Sequence, residues 1–208
     1  MVSLPVRSFA KMLVAPGHRQ HQILFELKYP KEEPQSYKIP YYQKALKAIR
    51  SYYGAGNDPT ELLKATTEMA SLQPDSKRRS NIRVIDAFSR DRQHRRQLLL
   101  LQQTKLNARL NSDFGLHLRF DIAAVEGCRP RRILYNLNCD PIERQIARLT
   151  LQLAFWVIEQ AHGGLPIEAL EYVDLCNGKI YHVTRIAPTT KRIMSTTTKV
   201  ITALWASI

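Results

Sequence analysis

The sequence predicts an α/β protein: a central mixed β-sheet flanked by helices, with a helical region ahead of it. Three observations carry this. Leu116, Leu118, Phe120 and Ile122 alternate with His117, Arg119 and Asp121, the period of a half-buried strand. Ile142, Ile146, Leu149, Leu153 and Val157 recur at about 3.6 residues, so 141–161 reads as a helix with one face in a core. Between them RILYNLN, at 132–138, alternates as a partner strand after the turn GCRP. Beyond the helix, 169–174 and 179–184 alternate around Asn177-Gly178, a strong hairpin signal. The expected organisation is a helical region over 1–110 packed on the core, an α/β core over 111–188, and a C-terminal helix over 189–208.

The chain of 208 residues is long enough for one good core. Its 44% hydrophobic and 24% charged content is that of a folded chain rather than a disordered one. No apolar run reaches the roughly 18 residues that cross a bilayer, and the first residues lack the long apolar stretch of a secretory signal. Membrane partners are therefore not expected. Cys128, Cys139 and Cys176 are odd in number and form no CxxC pair, which points away from zinc or a disulfide framework and toward the reducing cytoplasm.

Charge is the loudest global signal. Thirty-one Lys plus Arg against 18 Asp plus Glu leave +13. Such an excess favours polyanions, nucleic acid first, with DNA favoured. Residues 77–96 concentrate it: Lys77, Arg78, Arg79, Arg83, Arg90, Arg92, Arg95 and Arg96 against Asp86 and Asp91, eight minus two for +6. A solvated face is the ordinary reason for such a run. Phosphate contact, which releases condensed counterions, is the functional one and would position a backbone without reading its sequence.

The rest follows in chain order. Ser3 is a candidate cap and Pro5 a first-turn residue for a helix carrying Val6, Phe9, Met12 and Leu13, stopped by Pro16-Gly17. A second helix covers His18 to Leu27. His18 and His21 lie three apart, yet a pair without a third ligand is ordinarily polar surface. Residues 28–40, with three prolines, form a connecting loop. Residues 41–53 form an amphipathic helix with a basic edge at Lys44, Lys47 and Arg50, whose tyrosines serve a core or stack on bases. Asp58 or Thr60 caps a helix over roughly 60–72. IRVIDAF, at 82–88, reads as a short strand or a helix start, and 90–110 as a helix through Leu98, Leu101, Leu106 and Leu110. The tail, with Ile193, Val200, Ile201, Leu204 and Trp205, is a helix that packs on the core or binds a partner.

A strand with an acid, a turn, a strand ending in a polar pair, a helix with a glutamine and a strand hairpin together resemble the PD-(D/E)XK, or restriction-endonuclease-like, superfamily. The closest flavour is its RecB-like nucleases. The resemblance spans about 115–184. It implies that Asp121 in LRFDIAA stands for the family's metal-binding acid. Asn136 and Asn138 in LYNLN fall on the second acid and the lysine. Gln152 to Trp156 falls on a QxxxY motif, with Trp in place of Tyr. A neutral asparagine cancels no charge on a divalent cation and does not replace an ammonium. The implied protein is therefore a nucleic-acid binder with a vestigial catalytic site, with no cofactor expected, acting as a component of a DNA- or RNA-processing complex with other subunits. Two alternatives stand beside it. One is an active Mg²⁺- or Mn²⁺-dependent nuclease holding metal at Asp121 with relocated groups such as Glu126, Asp140 or Glu143. The other is a protein-interaction subunit with a basic surface.

Overall fold

A computed structural model describes residues 2–29, 41–138, 140–161 and 163–208. The loop expected over 28–40 falls almost wholly outside the described residues, as do Cys139 and His162. Helices α1 (Val6–Val14), α2 (Gly17–Lys28) and α3 (Gln43–Gly54) form where the apolar periodicity predicts them. Asp58 Oδ1 accepts from the Thr60 N–H at 2.9 Å and starts α4 (Thr60–Glu68), which ends in a 3-10 turn at Met69–Ser71. The basic run is helix α5 (Asp75–Arg90), so IRVIDAF is helix interior. Val84, Ile85 and Phe88 face inward there and the arginines outward.

The strands differ more from expectation. β1 (Val2–Pro5) precedes α1 and runs parallel to β4 (Phe114–Leu118). Ser3 is a strand residue rather than a helix cap: its hydroxyl shares a 2.9 Å hydrogen bond with His117 Nδ1. The helix expected over 90–110 does not form. Arg92–Arg95 is a 3-10 turn, and β2 (Leu99–Leu100) and β3 (Leu106–Arg109) follow. The leucines at helical spacing are divided between two cores instead, Leu98 to one and Leu106 to the other.

The strand expected through Asp121 is two strands. β4 ends at Leu118, and β5 (Ile122–Glu126) begins a different sheet. The first sheet has the order β1-β4-β3. The second has the order β2-β5-β6-β7-β8, with β6 (Arg129–Asn136), β7 (Leu170–Asp174) and β8 (Lys179–Tyr181). Gly127 and Cys128, at φ 51 and 64, make the two-residue turn between β5 and β6, as a hairpin with right-handed strand twist requires. α6 (Arg144–Ala161) crosses from β6 to the parallel β7, and β7 pairs antiparallel with β8.

Alternation along β6 gives the second sheet two covered faces. Leu134 joins α1, α2, α6 and the smaller sheet in one core; Ile133 and Tyr135 join α3, α4 and α5 in the other. The N-terminal helices are thus part of the fold's own cores. α7 (Pro188–Ser207) closes the first core through Met194 and Ile201. A central mixed sheet flanked by helices is what the sequence predicted. Among the described residues, no helix is long and apolar enough to cross a membrane.

Candidate nucleic-acid interface

Asp121 lies at the break between the two sheets, nearly buried. Its Oδ2 accepts from Arg7 on α1 and from the Tyr135 N–H at 2.7 Å. Its backbone oxygen accepts from Arg50 Nε at 2.9 Å and Gln103 Nε2 at 2.6 Å. Arg7 also stands 5.9 Å from the Tyr172 ring centroid. Burial opposes the Arg7 charge, but Asp121 and Tyr172 outweigh it and leave the guanidinium pKa above its ordinary value. For Arg50 burial prevails, helped by Arg119, and the pKa falls. One carboxylate thus sits among Arg7, Arg50 and Arg119. A divalent cation brought to Asp121 would displace Arg7 and meet like charge from the other two.

The other residues of the predicted motif are engaged by partners other than Asp121. Asn136 Nδ2 donates to Asp174 Oδ1 at 3.1 Å and to the Asp140 carbonyl at 3.0 Å. Asn138 Nδ2 donates to Asp140 Oδ2 at 3.0 Å. Asp174 is fully buried and also accepts from Asn177 Nδ2 and the Ile142 N–H. Gln152 faces α7: its Oε1 accepts from the Ala187 N–H at 3.1 Å and from the Thr190 hydroxyl at 2.5 Å, tying α6 to the start of that helix. Trp156 lines an apolar groove beside α7. Glu126 pairs with Arg96 and Arg131, while Glu143 is exposed. His18 and His21 are surface residues, and among the described residues no three His, Cys, Asp or Glu side chains are placed to hold a metal ion.

The structure sorts the basic run into two groups. Lys77 is 7% exposed and buried in α5. Arg78 and Arg79 both pair with Asp75, one turn earlier. Arg96 holds Glu126 and Glu171 in a forked network at the edge of β5 and β7, with side chains 14%, 27% and 4% exposed. Three of these four are paired with acids, and Lys77 is buried. Arg83, Arg90, Arg92 and Arg95 are exposed and have no ion-pair partner among the described residues. On α5, Arg79, Arg83 and Arg90 share one stripe at spacings of four and seven, with Asp86 between them.

The stripe runs toward cations that the sequence reading missed. Arg92, just past α5, lines a groove with Arg144 and Arg148 of α6 and with Lys179 and His182 at β8. Arg144 and Arg148 are one turn apart on the polar face of α6, a spacing visible in the sequence but overlooked beside the stronger run at 77–96. The joining of α6 to β8 has no local signal, because it depends on the crossover. No protein-family model matches this chain, and no curated protein matches it in sequence.

Proposed function

We propose that the chain is a nucleic-acid-binding protein on a nuclease-like scaffold, in which Asp121 has become a structural anion. The observation that carries this is the exposed set of Arg83 and Arg90 on α5 and Arg92 and Arg95 in the turn after it, without an ion-pair partner among the described residues. Unpaired surface arginines attract phosphates without first breaking a protein ion pair. The order β5, β6, α6, β7 supports the scaffold, since it is the strand–strand–helix–strand layout of the resemblance. The commitment of Asp121 to Arg7 supports the vestigial reading. Binding of this kind follows the backbone and tolerates sequence change.

The test is anisotropy of labelled single-stranded and duplex DNA, and of RNA, against salt. Each lost phosphate contact lowers the slope of log K on log salt by about 0.9 on a duplex. R83A/R90A removes two exposed charges and no buried contact, so its slope falls by about 2 and its affinity drops. An unchanged slope in R83A/R90A would move the interface away from α5.

A further inference from the structure

The groove between α6 and β8 encloses about 480 Å³, within the range of about 300–1,000 Å³ that small-molecule sites occupy. Its wall carries Arg92, Arg144, Arg148, Lys179 and His182 and, among the described residues, no carboxylate. Arg144 and Arg148 point from one face of α6, about 6 Å apart along the axis. Lys179 faces them from β8, and Arg92 comes from the turn after α5. Glu143, immediately before α6, is the acid nearest its positive end, and none lies within its first turn.

Among the described residues four acids neighbour the groove and none lines it, Asp91 coming to its rim at Gly178. Asp91 accepts from the Gln93 N–H at 2.9 Å, and its Oδ2 lies toward Gly178, 3.5 Å from where a Cβ would stand. Asp174 is buried under Asn136, Asn177 and the Ile142 N–H. Asp140 is held by Asn138, and Glu143 is exposed ahead of α6 outside the groove wall. Four permanent cations therefore converge on an open concave space without an ion-pair partner among the described residues. Holding like charges together costs free energy, and a bound polyanion relieves it.

We propose that this groove is a site for two adjacent phosphate groups, with Arg144 and Arg148 as their main contacts and Lys179 and Arg92 closing on them. It deepens the nucleic-acid reading, on which it rests, because Arg92 links it to the α5 stripe. A backbone that follows Arg83 and Arg90 reaches the groove next. The same chemistry would also take a free diphosphate.

The experiment compares the wild-type chain, R144A/R148A and R83A/R90A with two probes: inorganic pyrophosphate by thermal shift, and labelled DNA by anisotropy. Pyrophosphate at about a hundredfold excess over its Kd raises Tm by about 5–10 °C in the wild type and in R83A/R90A. It leaves R144A/R148A unmoved. DNA binding by R144A/R148A weakens about tenfold or more, and its salt slope falls by about 2. Pyrophosphate stabilisation that needs Arg144 and Arg148, without any DNA binding by the wild type, upholds the groove with a free diphosphate as ligand and defeats the nucleic-acid reading. If R144A/R148A matches the wild type with both probes, the groove is no phosphate site, and a slope change confined to R83A/R90A leaves the nucleic-acid reading standing. Both positions are exposed, so the double variant keeps its fold, and circular dichroism checks this directly.

Discussion

Arg7 and Asp121, 114 residues apart, form an ion pair that joins α1 to the break between the two sheets. Asp121 also holds the Tyr135 N–H, so its carboxylate is bound from two elements. Asp121→Ala removes both contacts and leaves a buried N–H unpaired, which costs about 1–3 kcal/mol. Arg7→Ala costs a similar amount, about 1–3 kcal/mol, because it leaves the nearly buried Asp121 carboxylate without its ion pair, a loss tempered by the 38% exposure of the Arg7 side chain. Urea denaturation measures both. The account further expects Mg²⁺ and Mn²⁺ to leave the wild-type midpoint unchanged. A midpoint raised by either ion and returned to baseline in D121A would restore a metal at Asp121.

Arg96 answers a different demand from the arginines around it. Its fork on Glu126 and Glu171 ties the turn after α5 to β5 and β7. Arg96→Ala leaves the nearly buried Glu171 with only a 3.6 Å contact to Arg131, and destabilises the fold by about 3 kcal/mol. Arg83→Ala should stay within about 0.5 kcal/mol of the wild type. Equal stability of the two variants would contradict this division of the basic run.

The same network sets the acid limb of stability. Hydrogen bonding from Arg96 holds the Glu126 carboxyl below the usual carboxylate range, despite partial burial. A carboxyl depressed in the folded state stabilises at pH above its unfolded value, about 4.3, and that contribution is lost as pH falls through the folded pKa. Denaturation midpoints should therefore fall below about pH 4.3 in the wild type and fall less steeply in Glu126→Gln.

His117 governs the join between β1 and β4. Burial, then the nearby Lys105 charge, lower its pKa, and a hydrogen bond to the Ser3 backbone only partly opposes them. A histidine depressed on folding favours the folded state above its unfolded pKa, about 6.5, and stability is lost as pH falls below that value. The protection of β1 amides, relative to the intrinsic base-catalysed exchange rate, should fall between about pH 6.5 and 5. His117→Gln should remove that fall; an unchanged fall would assign it elsewhere.

The elements whose partners are near in sequence were legible. The β5–β6 hairpin, the face of α6 and the β7–β8 pair follow from alternation, from Gly127 and Gly178, and from 3.6-residue spacing. The break at Asp121 was not, because Leu118, Phe120 and Ile122 stay buried across it and the alternation never falters. β1 is four residues ending in Pro5, and its partner lies more than a hundred residues on, so nothing local marks it. The leucines of 98–110 mimic a helical face while serving two cores. The acid at Asp121 was singled out as the metal-binding position of the resemblance. The actual partner, Arg7, arrives from α1 by tertiary contact alone. The basic run was visible as composition, whereas Asp75, Glu126 and Glu171, which pair with three of its eight cations, become apparent only after folding.

The central claim concerns phosphate contact by the exposed arginines of α5 and its neighbouring groove. Its most direct measurement is the salt dependence of DNA affinity in the full chain. The account predicts binding at low salt whose log K falls linearly with log salt, with a slope reduced by about 2 in R83A/R90A. No binding by the wild-type chain at low salt would contradict it.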